Sequence, residues 1–350
     1  MKIYTAGQAA GWNQYVKSFH NWDVYYLCEY AVSLILHGDG IPLLICYEDA
    51  AARMCYVVMK RDIGDDKRFQ NSIEINKYFD LETPYGYGGP LVDGIFSAQS
   101  QQAFLNELSA YCTRESIVSQ FIRFHPLLNN HRDFDRITEN RYLHDTVFMD
   151  TSSVDLIFDN MDSKNRNMVR KANNAGIQII KRPMDDYQAF FEMYSETMRQ
   201  LDADDYYYFS EQYFEYISGA FKDNAAVFYA MLNNQPVGGA VFLFNEKVMH
   251  YHLAGMHQEY RKLAAGNLLL YEAAIWASKN GITRMHLGGG LKENDSLFGF
   301  KKQFNKNGRL PFYIGRTIFI RQVYDYLLHI RKQSDPEFDV NNRFLIQYRR

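Results

Sequence analysis

The chain has 350 residues, of which 47% are hydrophobic and 23% are charged, the composition of an ordinary globular protein. This composition excludes a disordered chain and a collagen-like repeat, and at about 150 residues per domain the length favours two domains. The net charge of −3 argues against a general polyanion binder, so DNA is not an expected partner.

The charge is unevenly placed along the chain. Residues 284–350 contain 13 Lys and Arg but only 6 Asp and Glu, so the last fifth of the chain is basic. A basic segment of this kind is compatible with RNA, and tRNA is therefore one partner to test. Nothing in the sequence indicates an oligomeric state.

The four cysteines show neither a Cys-x-x-Cys spacing nor a histidine at metal-ligand spacing, so we expect reduced thiols in the core and no metal site. The N-terminus lacks the apolar segment of a signal peptide, and no window approaches the ~18 to 20 apolar residues that span a bilayer. We therefore predict a cytoplasmic protein. Peripheral contact with a membrane stays open.

The first part of the chain contains a predicted helix, a set of short strands, a loop rich in Gly, Pro and Tyr, a second helix and a further strand. These elements are expected, in that order, at residues 6–20, 25–63, 80–94, 97–114 and 120–125. The pattern indicates a small sheet flanked by helices.

The second part of the chain begins again with the same kinds of element. A basic helix and a strand are followed by two helices, three antiparallel strands, a long helix and a last strand. The expected ranges are 163–175, 177–182, 185–201, 210–221, 226–232, 237–244, 248–256, 266–280 and 283–289. This order resembles the acetyltransferase-like α/β sandwich.

We therefore predict an α/β (α+β) fold with two tandem GNAT-like acyltransferase domains, each a mixed, largely antiparallel sheet flanked by helices. The first domain is expected at residues 1–145 and the second at 146–315. A C-terminal helix at 316–332, within the segment 316–350, is expected to complete the first domain.

The loop and helix at residues 257–280 are the first candidate site. Free backbone N–H groups and the dipole of the helix favour a phosphate or carboxylate at its first turn, which holds Gly266 and Asn267. Arg261-x-x-Ala264-x-Gly266 approaches the R/Q-x-x-G-x-G/A pattern of CoA-dependent N-acetyltransferases, with Ala264 in place of the first glycine. Arg261, Gly266 and Asn267 are the predicted donor-binding residues.

Further motifs occur in a fixed order along the chain. They are a Tyr-Gly-Gly-Pro loop, a basic helix, an Asn-Leu-Leu helix start, a Lys-x-Gly helix end, a run of three glycines and Phe-Lys-Lys-Gln-Phe, at residues 87–93, 164–172, 267–269, 279–281, 288–290 and 300–304. Together they resemble the Fem family of peptidoglycan aminoacyltransferases, within the GNAT superfamily. The resemblance covers residues 85–305 and is strongest over 250–305.

The resemblance implies transfer of an amino acid from aminoacyl-tRNA to an amino group of a cell-wall precursor, without a tightly bound cofactor. Direct attack of the amine on an acyl ester needs no covalent nucleophile, but the tetrahedral oxyanion must be stabilised. Lys301 is the first candidate for this cation and the adjacent Lys302 is the alternative. Asp93 stands where the family's first domain offers a carboxylate, to accept the amine proton or to bind the ammonium.

Six residues are predicted to contact the acceptor, most of them aromatic side chains that position amides or sugar hydroxyls. They are Tyr85, Tyr87, Gly89, Tyr213, Tyr251 and Phe300. One departure affects the acceptor. Family members that use a nucleotide-linked precursor carry an arginine four residues before a tyrosine, whereas Phe209 precedes Tyr213 here. The missing cation puts a phosphate-bearing acceptor in doubt.

The sequence therefore favours an N-acyltransferase that forms an amide on a peptidoglycan or surface-glycan precursor, with aminoacyl-tRNA as donor. One alternative is an acetyl-CoA- or acyl-CoA-dependent enzyme acting on an amino sugar or amino acid. A second alternative is a non-catalytic protein with two GNAT-like domains that captures cell-wall peptides or tRNA. Retention of Lys301 argues against this last function.

Overall fold

The computed structural model describes residues 1–290 and 295–350. Its strands are β1 Lys2–Thr5, β2 Ile41–Glu48, β3 Ala52–Asp62, β4 Phe79–Glu82, β5 Leu91–Gly94, β6 Ile117–Arg123, β7 Glu139–Asp150, β8 Gln178–Pro183, β9 Ala225–Leu232, β10 Gln235–Phe244, β11 Val248–Met256, β12 Arg284–Gly288 and β13 Arg309–Ile318. Its helices are α1 Ala9–Lys17, α2 Cys28–Ser33, α3 Ala98–Arg114, α4 Val154–Asn160, α5 Ser163–Asn174, α6 Gln188–Gln200, α7 Glu211–Ala220, α8 Ala265–Lys279, α9 Ser296–Lys302 and α10 Arg321–Ser334.

The chain divides into two compact units. Unit 1 consists of Met1–Leu143 and Phe312–Arg350, and unit 2 consists of His144–Pro311. Each unit has its own buried apolar cores and a mixed sheet with helices packed against it. The predicted fold class, a largely antiparallel mixed sheet flanked by helices in each half, is confirmed.

The two sheets repeat one strand order. In unit 1 the order is β1-β2-β3-β4-β6-β13, with β5 added beside β3, and in unit 2 it is β8-β9-β10-β11-β12-β7. Neighbouring strands are antiparallel except for β4 with β6 and β11 with β12. A parallel pair needs a long crossover connection, which contains α3 in unit 1 and α8 in unit 2.

The predicted strand content of residues 25–36 is wrong, because this stretch forms a 3-10 turn followed by α2. The side chain of Asp23 accepts the N–H of Tyr25 and starts the turn, and the Trp12 indole donates to the carbonyl of Tyr26 at 2.8 Å. These contacts bury the aromatic residues without a sheet, so tertiary packing overrides their preference for strands.

The start predicted for the C-terminal helix is also wrong. Residues 316–318 are the end of β13, where Arg316, Thr317 and Ile318 pair with β6, and the helix α10 begins only at Arg321. Thr317 and Ile318 are β-branched and therefore favour pairing with β6 over a helix. Residues 312–350 belong to unit 1.

All four cysteines are buried and free, which confirms their prediction as reduced core thiols. Among the residues that the structure describes, no helix combines the length and the apolar character needed to cross a bilayer.

The C-terminus of the chain is bound to unit 1 through a buried carboxylate. Asp80 has no exposed surface, and it accepts hydrogen bonds from Arg61 at 2.9 Å, from Arg349 at 2.8 Å and from Tyr348 at 3.0 Å. Burial alone would raise the pKa of Asp80, but Arg349 and Arg61 hold it below its usual value. The two guanidinium groups therefore make this charge tolerable inside the unit.

Replacing Arg349 with alanine is expected to lower the free energy of unfolding by about 3 kcal/mol, because the buried Asp80 carboxylate loses one of the two guanidinium groups that bond to it. Urea denaturation followed by circular dichroism measures the change. Arg343→Ala is the matched control, since the Arg343 side chain is exposed and, among the described residues, only the Arg343 backbone carbonyl takes part in a hydrogen bond, which it accepts from Arg141. Equal losses in the two variants would contradict a special role for the Asp80 cluster.

Candidate active site

The parallel strands of unit 2 diverge, and this divergence defines the candidate site. Pairing between β11 and β12 covers Val248–His250 and Arg284–His286. Strand β11 then continues to Met256, whereas β12 ends at Gly288. On the other side of β11, its pairing with β10 shifts register between Val241 and Phe242. Beyond His250 the backbone of β11 is therefore open on its β12 side within the described residues.

Lys301 lies at this divergence. It belongs to α9, whose first turn is capped by the carboxylate of Asp295, which accepts the N–H of Phe298 at 2.8 Å. The Lys301 side chain is buried, and its Nζ donates to the carbonyl of Gly289 at 2.7 Å and lies 5.7 Å from the ring centre of Tyr251. One ammonium thus joins the end of β12 to the open part of β11.

The position of Lys301 gives its side chain unusual electrostatics. Burial lowers the pKa of Lys301 to about 8, against a smaller opposing effect of Asp295. At neutral pH the side chain is therefore mostly a cation, but its proton is held less firmly than in an exposed lysine. An ammonium has three N–H donors, and the Gly289 carbonyl takes one of them. This arrangement suits stabilisation of a nearby developing negative charge.

The two candidate lysines differ in burial. Lys302, the next residue, is exposed, so the structure brings only Lys301 to the diverging strands. Tyr251 is half-buried under Lys301, and burial raises the pKa of its phenol, which therefore stays protonated. Phe300 packs against Phe304 with a ring separation of 5.3 Å.

Two glycines after β12 allow this close packing. A Cβ at Gly289 would lie 2.5 Å from Cε1 of His144, and a Cβ at Gly290 would collide with the Asp295 carboxylate. Only residues without a side chain let the backbone pass between these two groups and still present the Gly289 carbonyl to Lys301. The predicted glycine motif therefore has a steric reason.

The predicted donor residues lie at the start of α8. Ala264, in the left-handed conformation at φ 60°, precedes the helix, and no side chain caps its first turn in the described structure. A Cβ at Gly266 would lie 3.1 Å from Cε of Met256 and 3.9 Å from the ring of Phe300. Gly266 therefore lies against the residue that precedes Lys301, which places the donor candidates beside the diverging strands.

The other two donor candidates have different surroundings. Asn267 donates from its side chain to Oδ1 of Asn165 at 2.7 Å, and Asn165 donates to the carbonyl of Gln303 at 3.3 Å. This chain of hydrogen bonds connects α8 to α5 and to the end of α9, so Asn267 orients the helix. Arg261 is exposed in a 3-10 turn over Gln258–Leu263.

Tyr213 lies inside unit 2 rather than on a surface. It is buried, and its hydroxyl is 2.8 Å from Nε2 of His252. Burial, with a smaller contribution from His250, lowers the pKa of His252 to about 3. The imidazole is therefore neutral at physiological pH, and Tyr213 supports the strand through it.

In unit 1 the predicted Gly-Pro loop is held by a residue that the motif does not contain. Gly89 has a φ of +80°, and a Cβ there would lie 2.7 Å from the ring of Phe124. The side-chain amide of Asn130 donates to the carbonyls of Gly88 and Pro90, each at 2.9 Å. Gly89 is therefore required for the path of the backbone.

The remaining candidates of unit 1 are also well packed. Asp93 lies on β5 opposite Arg53 of β3, and their ion pair has a separation of 2.6 Å with each side chain about one-third exposed. Tyr85 accepts a hydrogen bond on its carbonyl from the Tyr30 hydroxyl at 2.6 Å. The ring of Tyr87 packs 5.3 Å from that of Phe312. Arg53 thus fixes the orientation of the Asp93 carboxylate.

Sequence reasoning missed Asn165, Thr197 and Asn130. Asn165 lies on the buried side of α5 with Val169 and Ala172, and Thr197, on the buried side of α6, accepts the N–H of Met256 at 3.0 Å. Asn165 and Thr197 could have been found from the sequence, because each is a polar residue within the apolar stripe of an amphipathic helix. Asn130 offers no such signal, since it lies in a 3-10 turn.

Comparisons with known proteins identify a domain family in unit 2 and solved structures that share the fold. Residues 161–302 match the model of the Acetyltransferase (GNAT) domain family. The crystal structure of FemX has a TM-score of 0.65 at 14% identity and covers 93% of this chain and 99% of that chain. No curated protein matches the chain in sequence.

Two further solved structures are similar. A conserved protein of unknown function from Bacteroides thetaiotaomicron VPI-5482 has a TM-score of 0.61 at 12% identity and covers 90% of this chain and 98% of that chain. The C-terminal domain of a protein described as a putative lysylphosphatidylglycerol synthetase, from Agrobacterium fabrum, has a TM-score of 0.56 at 11% identity. The match covers 92% of this chain and 96% of that chain. At these identities the likeness establishes the fold.

Residues 161–302 therefore carry an acetyltransferase domain of the GNAT type, and the strand order of unit 2, in which this domain lies, recurs in unit 1. The chain shares the fold of FemX over nearly its whole length, so the predicted resemblance to Fem-type GNAT proteins is confirmed at the level of the fold.

Lys301 is expected to make the stability of the fold depend on pH. Because its folded pKa of about 8 lies below that of an exposed lysine, the unfolded chain binds the proton more tightly, and this side chain makes the fold more stable as the pH rises from about 8 to about 10. Lys301→Met removes up to about 3 kcal/mol of that increase. Urea denaturation at both pH values measures it.

Lys302→Met is the matched control, because Lys302 is the adjacent and exposed lysine. It should keep the same rise in stability as the unmodified protein. A pH dependence that is identical in the two variants would show that Lys301 is not held in the buried position described above.

Proposed function

We propose that this protein is an N-acyltransferase that forms an amide on an amino group of a peptidoglycan or surface-glycan precursor in the cytoplasm, with aminoacyl-tRNA as the donor. The observation that carries the proposal is the buried ammonium of Lys301 at the diverging strands of a GNAT domain, next to the start of α8. A cation at this place suits a reaction that develops negative charge on an acyl oxygen.

The proposed reaction is direct aminolysis of an ester. The amine nitrogen of the acceptor forms a bond to the acyl carbon, and the carbonyl oxygen becomes an oxyanion in the tetrahedral intermediate. The ester C–O bond then breaks, and the proton lost by the amine goes to the leaving alkoxide oxygen of the donor, which becomes a hydroxyl. In this scheme Lys301 stabilises the oxyanion, an effect worth on the order of 100-fold in rate or more.

The donor side is assigned to the start of α8. Within the described residues no side chain caps the first turn of α8, and this turn together with the helix dipole favours an anion. Both a tRNA end and CoA carry phosphates. Of the predicted donor residues, Gly266 leaves the first turn accessible, Arg261 supplies an exposed cation and Asn267 orients the helix. Phosphate alone does not separate the two donors.

The similar structures favour an aminoacyl donor. One of them is described as a lysylphosphatidylglycerol synthetase, a name that denotes attachment of a lysyl group to a phospholipid, and another is FemX. We extend aminoacyl transfer to this chain as part of the proposal. The basic last fifth of the chain supports tRNA as the carrier.

The acceptor side of unit 2 is assigned to its aromatic candidates. Asp93 is a separate candidate in unit 1, where its carboxylate, held in a fixed position by Arg53, would bind an ammonium group. Tyr251 and Phe300 flank Lys301 and would contact the acyl group or the acceptor. Peripheral membrane contact belongs to the same proposal, since a lipid-linked precursor is one form of the acceptor.

A second candidate is a CoA-dependent N-acyltransferase acting on an amino sugar or amino acid. The observation that favours it is the Arg261-x-x-Ala264-x-Gly266 turn, which leads into α8 within the matched GNAT domain. The chemistry at the acyl carbon is the same, with a thioester in place of the ester. Donor binding therefore separates the two candidates.

Lys301→Ala is expected to lower kcat by about 100-fold with a much smaller change in the KM for the acceptor, because the cation acts on the transition state. Steady-state kinetics with an aminoacyl-tRNA donor measures both constants. In the unmodified enzyme kcat should fall as the pH rises above about 8, where Lys301 loses its proton.

Lys302→Ala is the control for this experiment, and it should change kcat by less than about twofold, since Lys302 is exposed. If Lys301→Ala raises KM and leaves kcat unchanged, the lysine binds the acceptor and does not stabilise the oxyanion.

Gly266→Asp is expected to abolish donor binding, because it places a carboxylate at the first turn of α8 where the anionic donor binds. Gly266→Asn has nearly the same size without the charge, and it separates electrostatic repulsion from the contact with Met256. Calorimetric titrations with acetyl-CoA and with aminoacylated tRNA, at one fixed salt concentration, measure the affinities.

Saturable tRNA binding with inert acetyl-CoA would support the aminoacyl-tRNA donor. The reverse pattern would transfer the proposal to the CoA-dependent reaction. Equal donor affinity in Gly266→Asp and Gly266→Asn would remove the start of α8 from the donor site.

A further inference from the structure

The run of three glycines after β12 does not by itself fix the direction of the Gly289 carbonyl. Glycine adopts a wider range of backbone angles than any other residue, so residues 288–290 have little conformational preference of their own. Yet this carbonyl accepts the hydrogen bond from Nζ of Lys301 at 2.7 Å, and such a bond depends on where the oxygen points. Contacts from outside the run must therefore hold Gly289 in place.

His144, on β7, makes these contacts. A Cβ at Gly289 would lie 2.5 Å from Cε1 and 2.8 Å from Nδ1 of His144, and 3.0 Å from the carbonyl oxygen of Asp145. The glycine backbone therefore packs directly on the imidazole ring and on the neighbouring carbonyl. Gly289 thus contacts His144 on the side where a side chain would stand, and it contacts Lys301 through its own carbonyl oxygen.

The His144 ring is itself fixed. Its Nδ1 lies 2.9 Å from the carbonyl oxygen of Asp145. Because a carbonyl oxygen only accepts, Nδ1 carries the proton of this hydrogen bond. The Asp145 carboxylate accepts a hydrogen bond from Nε of Arg309 at 2.7 Å, and β7 pairs with β12 up to Val147 and Gly288. The ring is therefore bonded to a segment of backbone that two further interactions hold.

We propose that His144 is a positioning residue for Lys301 and that it acts through Gly289. With its Nδ1–H bound to the Asp145 carbonyl, the ring holds the glycine so that the glycine carbonyl points at the ammonium. The placement of the ammonium is a property of unit 2 alone. The consequence for catalysis rests on the function proposed above.

This role has an electrostatic consequence for Lys301. The negative end of the Gly289 carbonyl faces the buried ammonium and stabilises its charged form. Of the neighbouring charges, Asp295 also favours the ammonium, whereas Asp145 and Arg309 compensate each other in an ion pair. If the carbonyl turns away, the ammonium loses this acceptor while it stays buried, and the pKa of Lys301 falls below its value of about 8.

Two amide side chains of different length test the proposal. His144→Asn places a side-chain N–H about where Nδ1 lies, and it should keep the midpoint of the Lys301 titration. His144→Gln carries its N–H one bond further out, and it should lower that midpoint by about one pH unit. NMR of lysine labelled with carbon-13 at Cε follows the titration in the full chain. The Lys301 signal is the one that is absent in Lys301→Met.

Steady-state kinetics gives the catalytic readout. His144→Gln should lower kcat by about tenfold, with a change in the KM of the acceptor below about twofold, because only the placement of the cation is altered. His144→Asn should restore most of kcat. His329→Gln, at an exposed position of α10, is the control and should change neither constant. A shifted titration midpoint without turnover on either donor would support the positioning role and contradict the proposed function.

A measurement on the unmodified protein covers the case in which His144→Gln does not fold, which a thermal melt detects. Long-range proton–nitrogen NMR spectra at about pH 9, where an imidazole is neutral, should show His144 as the Nδ1–H tautomer. The proposal is overturned if the ring is the Nε2–H tautomer, if His144→Gln keeps the Lys301 midpoint of the unmodified protein, or if both amide variants shift it equally.

Discussion

A single buried ammonium connects the two diverging strands of unit 2. Lys301 connects the carbonyl at the end of β12 to the aromatic face of Tyr251 on β11, and a charge in such surroundings persists only where donors and acceptors are matched. The glycines after β12, the Asp295 cap of α9 and the packing of Phe300 against Gly266 all serve that placement.

The repeated strand order makes the difference between the units easier to understand. In unit 1 the parallel pair β4 and β6 is followed by renewed pairing, because Gly88 bridges to Phe124 and the Gly-Pro loop lies along β6. In unit 2 the equivalent strands separate, and a side chain occupies the gap between them. The same strand order therefore has two outcomes. In unit 1 the Gly-Pro loop is held along β6 by Asn130, and in unit 2 the strands β11 and β12 separate around the Lys301 side chain.

Sequence patterns predicted the secondary structure correctly where the local preference of the residues and their tertiary packing favour the same conformation. The three antiparallel strands β9 to β11 and the helices α3, α5 and α8 follow from periodicity and turn residues. Residues 25–36 and 316–318 failed because burial by distant partners decided their conformation. The motif contains both Lys301 and Lys302, and the sequence does not distinguish two adjacent lysines. Only the path of α9 determines that Lys301 is the buried one.

The last strand of the unit 1 sheet, β13, follows almost all of unit 2 in the sequence, at Arg309–Ile318. During synthesis β13 therefore emerges only after more than three hundred residues have been made. Until then β6 lacks its β13 partner. Contacts so distant in sequence form late in folding. Unit 2, whose strand β7 is made before its other strands, is free to complete its sheet earlier, so the two units are completed in the opposite order to that in which they begin.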